Sequence, residues 1–420
     1  MNVANLYLLC MVYVGVLLAV GGQPVYAGTP KTSSAKASSS KPESLQLFFR
    51  PGKGLVVKAP NNYFVLRTRL RAQFLYAVSA DNTEESEPEN SFQIRRARLA
   101  FTGSFFGKHN KFKAEIAISP RDLSLSDDGL QRSPLLDWFV TFDYLRDLTV
   151  RLGQFKVMYS RERVVSSGNL TLVDRSIVNR EFNVDRDLGI EVGSKDFLGL
   201  GYLRYTLGVY MGEGHSSFAA SNFGLMYIAR LEVTPLGRFK DDYTEGDHRY
   251  HSTPKLSIGV AYAFLDEGKG NRGILGRAPA DGGTTDTHNF NADFVFKWQG
   301  LGLIGCFMWR KGIRSPGQNK NPQGQDITPE LPRDGMGVYG QISYLFRPPV
   351  TLQLAARVSH IRPIGTAETT SLVESNAAGG AVSYYFAKHP FKLQLDYFYL
   401  WGTNNPNGEH RVRLQLQASL

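Results

Sequence analysis

Cysteine is almost missing from this chain of 420 residues, which carries only Cys10 and Cys306. Cys10 lies inside an N-terminal apolar stretch, so a processed chain would keep a single thiol and could form no internal disulfide. Long hydrophobic runs are as scarce. Only Val3 to Val20 is long and apolar enough to suggest a transmembrane helix, and the slightly negative mean hydropathy argues against a helical membrane protein. No period of a propeller blade's length recurs, which disfavours a soluble propeller. Met1 to Asn5 lacks the usual Lys or Arg of a secretory leader. The apolar stretch nevertheless ends in Gly-Gly-Gln-Pro and then Val25-Tyr26-Ala27 before Gly28, a small-residue cleavage site, so residues 1–27 are expected to be a signal peptide. Residues 28–44 form a Ser/Lys/Ala/Pro tract too polar to bury a core, expected to be a flexible tail.

What the chain has in quantity is Phe (26), Tyr (20) and Gly (42), within only 42% hydrophobic residues, a mixture that suits alternating strands and turns. The stretch FVLRTRLRAQFLY, Phe64 to Tyr76, shows the pattern. Arg67, Arg69 and Arg71 occupy every second position, with Leu66, Thr68, Leu70 and Ala72 between them. In a strand this gives one cationic and one apolar face. The alternation recurs near 63–77, 92–104, 111–119, 134–144, 148–156, 186–194, 202–211, 223–234, 254–265, 288–299, 301–311, 335–347, 350–360, 377–387, 391–401 and 409–419, sixteen candidates. Parity switches within 92–104, between Ile94 and Ala97, which predicts a bulge near Arg95.

Links after even strands are mostly short, apart from Pro235 to Thr253, and links after odd strands are long and polar. That asymmetry is the plan of an outer-membrane barrel. An Arg at the lipid midplane costs about 2–4 kcal/mol, so the three of the first strand must face the lumen. Tyr76, Phe142, Tyr262, Phe264, Trp298, Tyr344, Tyr384 and Phe386 then fall where aromatic girdles belong. The expected fold for residues 45–420 is an all-β transmembrane antiparallel barrel of about sixteen strands, with its third loop folded inward.

Inward parity collects Arg67, Arg69, Arg71, Arg96, Arg98, Lys113, Arg151, Arg204, Arg230, Lys297, Arg357, Arg411 and Arg413. It also collects Glu115, Asp137, Asp143, Asp187, Glu191, Glu232, Asp293 and Asp396. Barrel closure sets the last strand beside the first, so Arg411 and Arg413 join Arg67, Arg69, Arg71, Arg96 and Arg98 on one wall, expected to be free of carboxylates. Such a ladder would give small anions successive sites. The alternative is that loop acids such as Glu162, Asp174 and Glu181 neutralise it and leave a weakly selective porin.

The stretch RLGQFKVMYSRERVVSSGNLTLVDRS, Arg151 to Ser176, with NREFNVDRDLGIEVGSK after it, resembles the third-loop region of the phosphate-selective porin O and P family. The matching features are Gly153, Gln154, Phe155 and Lys156, then Asp174, Arg175 and Ser176. The chain departs from the pattern at Met158, where proline is expected, and at Leu420, where barrel chains usually end in an aromatic. The resemblance implies a homotrimer of sixteen-stranded barrels in the bacterial outer membrane, passing phosphate or related anions. It also implies that loop 157–185 is the constriction, with Lys156, Arg161, Arg163, Arg175 and Arg180 as its cations. No catalysis, cofactor or nucleic-acid partner is expected.

Three other motifs point elsewhere and are weaker. Gly335, Gly337 and Gly340 spell GxGxxG inside a strand pattern with no helix after it. His248 and His251 near Asp241, Asp242, Glu245 and Asp247 lack strict ligand spacing and read as a hydrophilic connection. His215 adjoins Ser216 and Ser217, the starting point for a barrel hydrolase, but adjacency in sequence is not geometry.

Overall fold

The computed structural model describes residues 44–420 except 51, 84–86, 124, 127–128, 131–132, 216–223, 319, 321–323 and 348. The expected leader 1–27, the tail up to residue 43, and Ser216 and Ser217 lie outside the described residues. Sixteen strands make up the wall: β1 Phe64–Asp81, β2 Glu89–Phe105, β3 Asn110–Ala117, β4 Leu135–Phe142, β5 Thr149–Lys156, β6 Arg186–Gly193, β7 Leu203–Tyr210 and β8 Met226–Val233. They continue with β9 Lys255–Gly268, β10 Thr284–Trp298, β11 Leu301–Ser315, β12 Gly335–Leu345, β13 Leu352–Pro363, β14 Ser375–Ala387, β15 Phe391–Gly402 and β16 Asn405–Ser419. Each pairs antiparallel with its neighbour, and β16 closes on β1 from Glu409↔Asp81 to Ser419↔Arg71. Closure leaves no free edge, which is what a sheet in lipid requires.

Each expected strand is present. The largest differences are at the long-loop ends, where β1 runs to Asp81 rather than 77, and β10 and β16 begin four residues earlier than expected. The bulge lies at Arg95: Gln73 faces Arg96, Phe74 faces Ile94, and Arg95 is left over. A hairpin that alternation did not signal, Gln46–Arg50 with Gly54–Lys58, pairs onto Val65–Thr68 of β1 where β16 has ended.

Burial follows parity, as in β8 and β12, where buried and exposed residues alternate along the strand. Leu66 and Leu70 share the outward face with exposed Phe74 and Tyr76, while Arg71 and Gln73 are buried on the inner one. The inner face is less polar than expected between β7 and β15. Phe155 and Tyr159 pack with Tyr210 and Met226, and Val178 and Phe182 pack with Val295 and Met308. The GxGxxG run lies in strand β12, where a Cβ on Gly337 would stand 2.8–2.9 Å from Val178 and Phe182. The glycine serves the close approach of the short helix Ile177–Phe182, not a nucleotide.

Candidate functional site

The wall arginines are more heavily paired than the sequence suggested. The bulge turns Arg95 inward beside Arg96, and both bind Asp174 of the third loop, at 2.8 and 3.1 Å, which also lies 3.3 Å from Arg413. Arg98 makes a two-pronged contact with Asp122 (2.8 and 2.9 Å) and reaches Glu115 at 3.2 Å. Arg413 does the same with Asp396, 2.8 Å at each oxygen. Arg411 holds Glu409, which shares its inward parity. The expectation of a carboxylate-free wall is therefore wrong: Glu409 sits on it, and Asp174 and Asp122 reach it from connections that strand parity does not cover. Arg71 donates to Ser166 and Ser167 hydroxyls, at 3.0 and 3.1 Å. Arg67 and Arg69 are exposed and have no ion-pair partner among the described residues.

Residues 157–185 meet inward-facing groups from β8 around to β16, β1 and β2. Two serines shape the segment locally: Ser160 caps the helical turn Arg161–Val164, and Ser176 caps Ile177–Phe182, accepting from the Asn179 N–H at 3.0 Å. Arg161 is buried and donates to Asp293 (2.9 Å), Glu232 (3.1 Å) and Ser257 (2.9 Å). Glu162 accepts from the Ser176 N–H (2.6 Å) and hydroxyl (2.7 Å). Glu181 binds Arg310 and Arg333. Lys392 donates to the Leu170 carbonyl at 2.6 Å, and Asp396 accepts from the Val173 N–H at 3.1 Å.

Between this segment and the β2 side lies a cavity of about 290 Å³ lined by Arg95, Arg96, Arg98, Arg121, Lys156, Arg163, Arg175 and Arg186, with Asp122 and Ser167. Five carboxylates contact these eight cations: Asp174, Asp122, Glu115, Asp185 on Arg163, and Asp137 on Arg186 at 2.6 Å. Among the described residues, Arg121, Lys156 and Arg175 have none. Arg121 donates to Gln93 (2.7 Å), Lys156 to the Val165 carbonyl (3.2 Å), and Arg175 to the carbonyls of Glu162 (2.8 Å) and Val165 (2.6 Å). Cationic charge is thus in excess at a water-accessible concavity with no apolar lining, where an anion exchanges its hydration for N–H donors.

Local fields follow the same arrangement. Burial would raise the Asp174 carboxyl, but Arg95, Arg96 and Arg413 outweigh it and hold the group below its ordinary range. Asp185 is likewise held down, by Arg163 and Arg186 against the effect of burial. Burial, with Arg163 and Arg96 nearby, lowers the Arg175 guanidinium to about 9, which leaves it cationic at neutral pH.

Of the residues singled out in the sequence, Arg96, Arg98, Lys156, Arg163 and Arg175 line the cavity. Arg67, Arg69, Arg71, Arg411 and Arg413 lie elsewhere on the wall, Arg161 is a buried anchor, and Arg180 is exposed and does not line the cavity. Strand parity missed three lining residues. Arg95 is the bulge residue, Arg121 lies in the short helix Pro120–Leu123 outside any strand, and Arg186 shares the parity of lipid-facing Leu188 and Ile190. Past Trp138 the β4–β5 ladder stops, and the Gln154 amide takes the Leu135 and Leu136 carbonyls. In this opened corner Arg186 reaches Asp137. Asp241, Asp247 and His251 do converge, but the Lys297 ammonium already sits 3.1 Å from Asp241, which disfavours a second cation.

Residues 66–245 match the family model described as phosphate-selective porin O and P. No curated protein is similar to the chain in sequence. Among solved structures, the anion-selective porin from Comamonas acidovorans superposes with a TM-score of 0.54 at 13% identity, covering 85% of this chain and 100% of that one. Outer-membrane expressed OmpT of Vibrio cholerae gives 0.51 at 10% identity, covering 87% and 100%. Pseudomonas putida OprB gives 0.51 at 10% identity, covering 84% and 94%.

Proposed function

We propose that this bacterial outer-membrane porin, with its phosphate-selective porin O and P sequence match, passes small anions by passive diffusion, using the cationic cavity beneath the third loop as its constriction. The observation that carries the reading is the excess, among the described residues, of eight cationic side chains over five carboxylates around that cavity, with Arg121, Lys156 and Arg175 pairing with none of these acids. Exposed Arg69 and Arg67 continue the cationic face of β1 toward the short-turn end, where Lys108 and Lys111 line a second recess of about 380 Å³ with Arg67. An anion leaving the cavity therefore meets further weak sites, as conduction requires. Phosphate fits the donor-rich lining better than a ligand needing apolar contact.

A homotrimer is part of the proposal. Strands β3 to β8 have eight residues each. At about 3.3 Å per residue and a tilt of about 40°, they rise only about 20 Å, short of the roughly 25 Å apolar band. Neighbouring copies covering this low sector would relieve the mismatch. A weakly selective porin is the second reading, favoured by the ion pairing of Arg96, Arg98, Arg411 and Arg413.

Reversal potential across a planar bilayer in a KCl gradient tests the choice. A chloride-favouring potential reduced or blocked by added phosphate supports an anion site at the constriction. A potential near zero selects the weakly selective reading, and a cation-favouring one refutes anion passage.

A further inference from the structure

The connection from β8 to β9, Thr234 to Pro254, is long although it stands at the end of the barrel where the other turns are short. It does not hang free. Asp241, Asp242, Glu245 and Asp247 are buried, which four carboxylates in a solvated turn would not be. The connection crosses the mouth beneath three hairpins, β10–β11, β12–β13 and β14–β15. The Gly300 N–H donates to Asp247 at 3.0 Å, the Tyr250 hydroxyl to the Phe346 carbonyl, and the His248 ring lies 4.7 Å from Tyr385 and 4.2 Å from His389. On its upper side it meets the third loop. Glu245 Oε2 accepts from the Thr171 N–H (2.7 Å) and Thr171 hydroxyl (2.9 Å), and the Gln341 amide donates to both partners, at 2.7 and 3.2 Å. Arg161 donates to the Asp242 carbonyl at 2.9 Å and stacks over Tyr243, 4.8 Å from its centroid. Gly246, with φ +69°, lets the backbone come so close that a Cβ would stand 2.4 Å from Gln353 and 3.3 Å from Thr171.

We infer that residues 234–254 are a strut that props the third loop from the periplasmic side, making Glu245 and Asp242 positioning residues for permeation. The strut fills the mouth beneath β8 to β15, so solutes leave along the β1–β3 face. The inference rests on the channel reading. It explains why a connection at the short-turn end is long and acidic: Glu245 and Asp247 accept from buried N–H and O–H donors, and Asp241 and Asp242 pair with Lys297 and Arg204. One carboxylate oxygen takes two donors from Thr171, and a glutamine there keeps an acceptor while an alanine keeps none.

The test uses the full chain with Glu245→Ala and Glu245→Gln, each first checked for a folded, heat-modifiable barrel. Trypsin cleavage in detergent at Arg161, Arg163, Arg175 and Arg180 reports loop opening without requiring conduction. Glu245→Ala is expected to speed cleavage by roughly tenfold, the factor for losing charge-assisted hydrogen bonds, and to add open-state flicker in bilayer recordings. Glu245→Gln is expected to recover most of both. Unchanged cleavage and quiet openings in Glu245→Ala would overturn the strut. Loss of selectivity in the unmodified chain would instead refute the anion reading while leaving the cleavage result to decide the strut.

Discussion

Arg175 offers the sharpest test of the constriction because it lines the cavity, lies on the loop rather than the wall, and has no acidic partner among the described residues. A cavity of about 290 Å³ corresponds to a sphere of about 4 Å radius, so a bound anion sits roughly 6 Å from the surrounding charges. At that distance one cation is worth about 0.7 kcal/mol in bulk water and about 3 kcal/mol at an effective permittivity of about 20. These limits correspond to factors of about 3 and about 100 in anion occupancy. Arg175→Gln removes the charge while leaving an amide to donate to the Val165 carbonyl, and Arg175→Lys keeps the charge. Arg180→Gln removes an equal charge from an exposed position outside the cavity. Reversal potentials in a KCl gradient should show the chloride-to-potassium permeability ratio falling at least about threefold in Arg175→Gln, and staying near the unmodified value in the other two. An unchanged ratio in Arg175→Gln, or an equal fall in Arg180→Gln, would refute the assignment of the constriction to this cavity.

Three further outcomes follow from the same geometry. Asp174→Asn removes the carboxylate shared by Arg95, Arg96 and Arg413, so bilayer recordings should show stronger anion preference together with noisier openings. Arg161→Met leaves the buried Asp293 and Glu232 with one fewer cation, and urea unfolding should show a loss of about 3 kcal/mol, the low end for breaking a buried pair, since Arg230 still contacts both acids. His248 is pushed down to about 3 by burial and by nearby Lys392, Lys297 and Lys388, against a weaker opposite effect of Asp247, while neutral His389 packs on its ring. A depressed histidine stabilises the packed state above its unfolded value near 6.5 and loses that contribution as pH falls toward 3. Acidifying the periplasmic side from pH 7 to 4.5 should therefore increase open-channel noise, and His248→Gln should remove most of that dependence.

The sequence by itself determined the barrel, because lipid enforces a rule readable one residue at a time. A guanidinium facing hydrocarbon is so costly that Arg67, Arg69 and Arg71 assign the inward parity of β1, and the same alternation locates the other fifteen strands. The bulge was legible too, as the switch of parity between Ile94 and Ala97. What parity could not supply was the partner of each inward charge. Asp174 and Asp122 come from connections with no period, and Glu409 stands beside Arg411 on the inward face of β16. Arg186 looks lipid-facing by parity, yet the end of the β4–β5 ladder lets it reach Asp137. Glu245 lies in a connection whose acids look solvated in sequence, and only folding carries them beneath the third loop. Charges pair through space over separations of tens to hundreds of residues, from Arg98 with Asp122 to Arg413 with Asp174, so the tertiary structure alone decided which cations remain free to meet an anion.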